Sequence, residues 1–467
     1  MPNNKPFLTR REFGLATGAL GLSLPLAGQA DTPKMPWAAP AMVKKIYLAA
    51  ALITWPKPTL DVQQEKAEVE ARLAELERKH PGLVSFSGGE ILRTPEDAQA
   101  CVKALGDVDA VLIIDLTSGT SGMLRVLREI QQPMLLFSRP YSGWSYADVT
   151  GWAQSGKKAD LIVSSDFADL DPYLRIFYTI HHLRKSKVLV VSPGAQKSAL
   201  AESFTKQFGT AISFPSYQDL KAAYDAADAA KAQKAAEEFM RGALRVIEPS
   251  WKEINEALRF HLAMVRLLEQ ERANAITIDC LGGFRRGELP AYPCVAWSKL
   301  NDAGFYGVCE GDLPSTMTQL LLTSYSGKPG FVSDPCFDTS RNEIIHAHCV
   351  SATALQGLGG PASPYIIRSH MEDNKGVSLQ VLAPTRGTVT VGKFVNPQRF
   401  AVSTGEVLGN VDSDRGCRTK FRTRVADARK MLEGYAGGLH RVVFYGDYVR
   451  PIEQMGRLMG FQVVREC

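Results

Sequence analysis

Short apolar runs alternate with longer amphipathic segments through the first two thirds of the chain. The first runs have the length and β-branched content of buried strands, and they fall at residues 44–53, 83–89, 110–116, 133–139 and 160–166. Between them lie stretches such as residues 62–80, where apolar positions recur at helical spacing. This alternation predicts a doubly wound parallel sheet.

A second series of apolar runs falls at residues 187–193, 210–215, 275–280 and 294–298, with two long helices predicted between residues 222 and 272. From residue 365 the pattern changes to short alternating segments separated by Gly, Pro and Asn, which is typical of a small antiparallel sheet or barrel. We therefore predict an α/β protein with two doubly wound parallel-sheet domains, followed by a small antiparallel β-barrel-like domain. The predicted bounds are residues 45–185, 186–355 and 356–467.

The N-terminus carries a twin-arginine pattern at residues 9–15, then a mildly apolar stretch and a small-residue cleavage position at Ala30. The stretch is short and rich in Gly and Ala, so stable membrane insertion is not expected. Residues 1–30 are predicted to be a signal peptide, and residues 31–44 a linker. The expected location is the periplasm, with the twin-arginine translocase as a transient partner.

Composition narrows the classes of partner. The formal charge of the 467 residues is +5, and it falls to +3 when the predicted signal is removed. So small an excess gives no reason to expect a nucleic-acid partner. The eight cysteines include no C-x-x-C pair, which argues against a zinc knuckle.

Residues 293–349 contain the most informative cluster of polar residues. Glu310 and Asp312 precede a predicted helix that carries Pro314 near its start and ends at Gly327, so both acids lie at a strand-to-helix junction. Asp334 follows Glu310 by 24 positions, about one helix plus one strand. We expect the two acids to lie at the same edge of one sheet, where α/β proteins bind ligands.

Two histidines follow on a predicted strand, His346 and His348, which point to one face. Carboxylates with an imidazole suit Mn²⁺, Mg²⁺ or Co²⁺ better than structural zinc. The alternatives are a turn at the Asp334-Pro335 pair and histidines with no ligand role. Cys309, Cys336 and Cys349 are interpreted as small buried packing residues.

The block at residues 293–349, with the motifs GCRTKFRTRV and GGLHRVVFYGD, resembles the L-fucose isomerase and L-arabinose isomerase superfamily, in particular its shorter members. The resemblance implies that Glu310 binds metal and moves protons, and that Asp334 is the second carboxylate. His440 matches the C-terminal histidine ligand, and His348 matches a histidine lining the site. His346 has no counterpart, so we rank it lower.

The resemblance also implies a reaction and an assembly. A bound Mn²⁺, or Mg²⁺ or Co²⁺, would support aldose–ketose isomerisation of a sugar through a metal-stabilised enediolate. A trimer or hexamer is expected, in which a neighbour's first domain completes the site. Further predicted substrate contacts are Trp297, Arg139 and Trp144.

Other functions stay open from the sequence. The export signal departs from the cytoplasmic isomerases of this superfamily, so the substrate or the reaction could differ. The chain could be a metal-dependent epimerase, hydratase or lyase acting on a sugar or an oxidised sugar. It could also be an exported carbohydrate-binding protein without catalysis.

Overall fold

Five parallel strands form the first sheet of the computed structural model, which describes residues 36–195 and 198–467. The strands are β1 (Ala41–Leu48), β2 (Val84–Leu92), β3 (Ala110–Asp115), β4 (Met134–Ser138) and β5 (Ala159–Val163). Their order is β2-β1-β3-β4-β5. The predicted signal at residues 1–30 lies outside the described residues.

Helices cover both faces of this sheet. They are α1 (Val62–Lys79), α2 (Pro95–Lys103), α3 (Ser121–Leu127), α4 (Ser145–Gln154) and α5 (Asp171–Lys185), with 3-10 turns at Pro36–Ala38 and Phe167–Leu170. Alternate residues of β3 enter different cores, since Leu112 and Ile114 belong to one apolar cluster and Val111 and Ile113 to another. The first domain is therefore doubly wound, as the sequence predicts.

A second parallel sheet has four strands. It contains β6 (Lys187–Val191), β7 (Ala211–Ser213), β9 (Ala275–Ile278) and β10 (Tyr306–Val308) in the order β10-β9-β6-β7, while β8 (Arg245–Val246) lies outside it. The helices of this part are α6 (Ala199–Phe208), α7 (Tyr217–Asp225), α8 (Ala229–Gly242), α9 (Trp251–Glu271), α10 (Cys280–Arg285), α11 (Cys294–Asp302) and α12 (Leu313–Ser326). Of the helices in the described ranges, none combines the length and the apolarity needed to cross a bilayer.

The expected strand at residues 294–298 is wrong, because these residues open α11. The helix is buried on nearly every side, and Val295, Trp297 and Leu300 all have 0% exposure. A short apolar run has the same pattern in a buried helix and in a buried strand, so periodicity could not separate them.

The last part of the chain forms a closed barrel. Its strands are β11 (Phe331–Asp338), β12 (Glu343–His348), β15 (Thr388–Asn396), β16 (Arg399–Asn410), β17 (Thr419–Arg424) and β18 (Arg441–Tyr445). They pair in a circuit, β15-β18-β11-β12-β17-β16, which the β15–β16 pairing closes. Helices α13 (Ala428–Glu433) and α14 (Val449–Met459) follow β17 and β18, and β19 (Gln462–Arg465) pairs parallel with β16. The predicted barrel-like domain is thus confirmed.

The barrel begins earlier in the chain than expected. β11 and β12 pair with β18 and β17, so residues 331–348 join the barrel although the prediction assigned them to the second α/β domain. The expectation that Glu310 and Asp334 share one sheet edge is therefore wrong, since β10 and β11 belong to different sheets. The remaining strands, β13 (Tyr365–Arg368) and β14 (Ser378–Val381), form a small sheet with β8.

Candidate metal centre

Glu310 lies on a two-residue bend between β10 and α12, which confirms the predicted strand-to-helix junction. Its φ is +65° and that of Gly311 is +67°, so both occupy the left-handed region. A non-glycine residue there costs backbone energy and persists only where the surroundings impose it. Asp312 then caps α12 by accepting a 3.0 Å hydrogen bond from the backbone N–H of Ser315. The bend turns the Glu310 side chain toward the barrel.

The barrel brings two further ligand candidates to this bend. Asp334 lies on β11, and His440 immediately precedes β18. These strands pair with Ser333 opposite Arg441, so the next position of the antiparallel register sets Asp334 beside His440. The Ser333 hydroxyl also donates to the carbonyl of Arg441 at 3.1 Å. Sheet register, acting over about a hundred residues of sequence, therefore places these two side chains together.

Three side chains converge on one point. His440 Nε2 lies 3.4 Å from Glu310 Oε2 and 3.4 Å from Asp334 Oδ1. Among the described residues neither His440 Nε2 nor Asp334 Oδ1 has a hydrogen-bond partner, although both atoms are buried. Ligands of one divalent ion at about 2.1 Å lie roughly 3.0–3.5 Å apart. Orphaned donor atoms at this spacing fit the cation that the resemblance implies.

Asp312 orients the histidine. Its Oδ2 accepts a 2.8 Å hydrogen bond from His440 Nδ1 and a 2.6 Å bond from the Lys393 ammonium group. With Nδ1 protonated, His440 directs the lone pair of Nε2 at the two carboxylates. A carboxylate behind a metal-binding histidine fixes the tautomer and the ring orientation. The sequence placed Asp312 at this junction, but it gave no signal for the pairing with His440 or Lys393.

The charges at the centre shift several pKa values. Burial raises the pKa of Asp334 to about 6, and the nearby Glu310 carboxylate adds to this. Burial opposes the protonation of His440, yet its hydrogen bond to Asp312 and the nearby Glu310 carboxylate raise its pKa to about 9. The adjacent His440 ring in turn lowers the pKa of Glu310. Without a metal, a proton on His440 thus provides the positive charge that these carboxylates favour.

The two histidines of β12 have different environments. Burial lowers the pKa of His348 to about 3, so this ring is neutral. Its Nδ1 accepts a 2.8 Å bond from the backbone N–H of Cys349, which leaves the proton on Nε2, 3.9 Å from Glu310 Oε1. His348 is therefore suited to donate to a ligand oxygen, consistent with a substrate contact. The ring nitrogens of His346 are hydrogen-bonded to the hydroxyls of Ser333 and Thr423, at 3.2 and 2.9 Å. His346 therefore takes no part in the centre.

Other side chains line the same pocket. His370 and Glu372 do so, and Cys309 and Cys417 contribute sulfur atoms. One candidate ligand group contains Cys309, Glu310 and His348, and another contains Asp334, His348 and Cys417. Cys309 and Cys349 are buried as expected, whereas Cys336 is exposed and does not fit the packing interpretation.

Trp297 does not line the pocket, and its predicted substrate contact is wrong. The indole has 0% exposure and belongs to the main apolar core. A Cβ added at Gly307 would lie 2.8 Å from its ring, so the neighbouring strand packs directly on it. α11 buries this face against the second sheet, which explains why the aromatic residue serves packing.

Arg139 and Trp144 lie in a different place, at the carboxyl end of the first sheet. Arg139 pairs with Glu65 in a cleft that shares no lining residue with the pocket around Glu310. Trp144 stacks on Trp55 with ring centroids 5.2 Å apart and is 55% exposed, and Tyr141 beside it is 74% exposed. Within one chain the predicted sugar contacts are therefore split between two sites.

The fold and the site together define a class: an α/β protein with a closed barrel, in which the second parallel sheet and the barrel jointly form a carboxylate–histidine cluster that is a candidate metal centre. No protein-family model matches the chain, and a search of the curated proteins finds no match either. What the centre does is therefore argued from its own geometry.

Proposed function

We propose that this protein is a metal-dependent enzyme that moves a proton between adjacent carbons of a sugar, as an aldose–ketose isomerase does. One observation supports this most strongly. Glu310 and Asp334, from two different sheets, approach the same unpartnered nitrogen of His440 at 3.4 Å. A binding protein has no need for two carboxylates around one imidazole, whereas proton transfer between carbons needs both a base and an acid.

The side chains then take defined roles. Glu310, Asp334 and His440 would hold a divalent cation such as Mn²⁺, Mg²⁺ or Co²⁺. When bound, that cation supplies electrostatic stabilisation of charge developing on the sugar oxygens. Glu310 stays ionised because its pKa is lowered, so it can bind the cation and take up a proton only transiently. Asp334, with a pKa of about 6, can accept and return one near neutral pH. His348 donates a hydrogen bond from Nε2 to a sugar oxygen and so orients the sugar.

Deuterium exchange tests the reaction directly. The full chain, loaded with Mn²⁺, is incubated with a panel of aldoses in D₂O, and NMR or mass spectrometry detects label at C2. We expect label with at least one sugar, and loss of the label in Glu310→Gln. Absence of label with every sugar, in protein shown by elemental analysis to hold the metal, would exclude the isomerase.

One observation favours a second candidate, a carbohydrate-binding protein without catalysis or an enzyme of another type on the same ligand. The exposed rings of Tyr141 and Trp144, with the half-buried ring of Trp55 between them, form a surface of the kind that stacks on sugars. Sugar binding without deuterium label would favour this candidate. Label combined with inversion at one carbon, or with loss of water or of a carbon–carbon bond, would indicate an epimerase, hydratase or lyase.

The assembly is also a proposal. Arg139 and Trp144 lie outside the pocket of their own chain, so we propose that the first domain of a neighbour completes the site in a trimer or hexamer. Light scattering of the purified protein measures the oligomeric state. A monomer with full activity would contradict this arrangement.

Export is proposed from residues 9–15, with the periplasm as the site of action and the twin-arginine translocase as the carrier. Because this route moves folded proteins, the metal could be loaded before export, where Cu²⁺ and Zn²⁺ compete less. Replacing Arg10 and Arg11 by Lys should abolish export in a cell-fractionation assay. Metal analysis that finds exported protein empty, or filled only by zinc, would contradict the loading proposal.

A further inference from the structure

Two thiols stand in contact in the wall of the metal pocket. Cys280 Sγ and Cys309 Sγ are 3.2 Å apart, and both side chains are buried. A disulfide bond is about 2.05 Å long, so closure needs an approach of only about 1.2 Å. The two residues lie just beyond the carboxyl ends of β9 and β10, which are paired neighbours in the second sheet. Cys280 is the first residue of α10 and Cys309 lies on the bend before α12, so a small rotation of the two side chains at these strand ends closes the gap.

Cys309 also stands beside the candidate ligands. Its sulfur, a Glu310 oxygen and a His348 nitrogen all lie within 4.8 Å of one another. A thiolate there would add a soft sulfur donor beside the Glu310 carboxylate, and sulfur donors favour Zn²⁺ over Mn²⁺. A sulfur held in a disulfide carries no such charge. The same atom can therefore belong to a metal site or to a disulfide, but not to both.

We propose that Cys280 and Cys309 form a reversible disulfide that determines whether the pocket offers a thiolate to a divalent cation. The reduced pair offers a zinc-preferring sulfur beside Glu310, and oxidation removes that sulfur from the donors, while Cys417 stays unchanged beside Asp334 on the other side of the pocket. The metal half of this proposal rests on the centre described under the proposed function, whereas the disulfide itself does not.

The reaction is thiol–disulfide exchange with a small external disulfide. The thiolate of one cysteine attacks the external disulfide, forming a mixed disulfide and releasing one thiolate. The second cysteine then attacks the protein sulfur of the mixed disulfide, forming the Cys280–Cys309 bond and releasing the other thiolate. The two cysteine protons pass to the two released thiolates, and the two electrons reduce the external disulfide to two thiols.

The first measurement follows the bond. Metal-free full chain is equilibrated with bis(2-hydroxyethyl) disulfide or with dithiothreitol, then denatured and alkylated. We expect eight alkylated cysteines in the reduced protein and six in the oxidised protein, with a Cys280–Cys309 crosslink in the peptide map. Cys280→Ser should abolish the crosslink. Cys101→Ser, at a buried cysteine of the first domain, is the matched control and should retain it.

The second measurement follows the metal. The reduced protein should bind Zn²⁺ at least about tenfold more tightly than the oxidised protein, while Mn²⁺ affinity changes by less than about twofold. Cys280→Ser cannot form the bond, so the fraction of this variant that mass spectrometry shows to be free of mixed disulfide on Cys309 should bind Zn²⁺ in the oxidant as tightly as the reduced protein does.

Three results would overturn the proposal. Cys280 and Cys309 could both be alkylated after oxidation, or the crosslink could join only Cys349 and Cys417, which share a hydrogen bond in the same wall. Equal Zn²⁺ affinity of the reduced and the oxidised protein would show that the Cys280–Cys309 disulfide does not control metal binding. A crosslink in protein that binds neither Zn²⁺ nor Mn²⁺ in either state would overturn the proposed metal centre together with that role.

Discussion

Asp115 and Glu310 occupy comparable places in the two α/β parts, at the carboxyl ends of parallel strands, but their surroundings differ. Asp115 ends β3 with 0% exposure, and its neighbours are the hydroxyls of Thr120 and Ser145. Glu310 follows β10, keeps 31% of its side chain exposed, and faces His440 and His348. An acidic residue at a strand end is therefore fully buried in the first α/β part, whereas the corresponding residue of the second part faces a pocket.

The difference comes from the barrel. At the second sheet, β11 and the residue before β18 bring Asp334 and His440 against the strand end. At the first sheet, the nearby loops supply Arg139, already paired with Glu65, and exposed aromatic rings. A strand end becomes a candidate metal site only when a second structural unit contributes ligands to it. Five predictions test this contrast.

The largest effect is expected at the two carboxylates. Glu310→Gln and Asp334→Asn each remove a group that the proposed proton transfer requires, so deuterium incorporation should fall by about 10³-fold. Circular dichroism should show an unchanged fold. Asp338→Asn, an exposed acid on the same strand as Asp334, is the control and should stay within about twofold of wild type. A tenth or more of wild-type activity in either pocket variant would place the chemistry elsewhere.

The strand that carries His440 depends on a buried ion pair. Arg441 is fully buried, lies 2.6 Å from Glu466 Oε1, and stacks over the ring of Tyr435 at 3.7 Å. Arg441→Met leaves the Glu466 carboxylate unpaired, so the free energy of unfolding in urea should fall by about 3–5 kcal/mol. Arg441→Met with Glu466→Gln should recover most of that loss.

The first domain offers the matched comparison. Arg139→Met breaks a partly exposed pair with Glu65, and it should cost less than about 1 kcal/mol. If Arg441→Met and Arg139→Met lowered the free energy of unfolding equally, the buried ion pair of the barrel would be no more important for stability than the partly exposed pair of the first domain.

Asp115 should make the stability depend on pH. Burial raises its folded pKa to about 6 from the usual 3.8, so the folded state binds more protons than the unfolded state between these values. This contribution is fully present below about pH 4 and is lost as the pH rises through 6. Relative to wild type, Asp115→Asn should therefore gain stability between pH 4 and 7, by up to about 3 kcal/mol. A stability difference that stays flat across urea titrations at these pH values would show that Asp115 does not ionise in a buried site.

Asp312 should affect how tightly the centre binds a metal ion. Asp312→Asn weakens the hydrogen bond that fixes the His440 tautomer, and Mn²⁺ affinity should fall by about 10–100-fold in calorimetry. The substitution also leaves the Lys393 ammonium group, 2% exposed, without its carboxylate. Asp312→Asn with Lys393→Met removes that buried charge and separates loss of metal from loss of fold. Unchanged Mn²⁺ affinity in either folded variant would exclude the orienting role.

The smallest effect is expected at the first-domain rings. Trp144→Ala should weaken sugar binding by about 1 kcal/mol, roughly fivefold, because one stacking face is lost, and Mn²⁺ affinity should not change. Trp251→Ala, at an exposed tryptophan of α9, is the control and should change neither. A loss of Mn²⁺ affinity in Trp144→Ala would show that the two sites are coupled within one chain.

Local signals predicted the parts of this molecule that depend on neighbouring residues. The apolar runs predicted all five strands of the first sheet and three of the four strands of the second, and Asp312 with Pro314 marked the start of α12. Of the short alternating segments after residue 365, β15 and β16 belong to the barrel, whereas β13 and β14 form the small sheet with β8. His346 was ranked below His348, and in the structure both of its ring nitrogens contact the hydroxyls of Ser333 and Thr423.

Long-range pairing could not be predicted in the same way. No local pattern shows that Ser333 pairs with Arg441, yet this register sets Asp334 beside His440, and without the family resemblance His440 would read as an ordinary loop histidine. The contacts of Asp312 with His440 and Lys393 span 128 and 81 positions and left no trace in the sequence. Trp297 was assigned to the substrate because tryptophan suits both sugars and cores, and only its burial separates the two.

The left-handed backbone of Glu310 sets the chemistry of the centre against the stability of the chain. Glycine adopts a φ of +65° without strain, so Glu310→Gly would relieve the bend while deleting the carboxylate. Substitutions that raise stability at this position would therefore remove the carboxylate on which the proposed activity depends. A glutamate that stays there does so against the preference of its own backbone, and selection for stability alone would replace it.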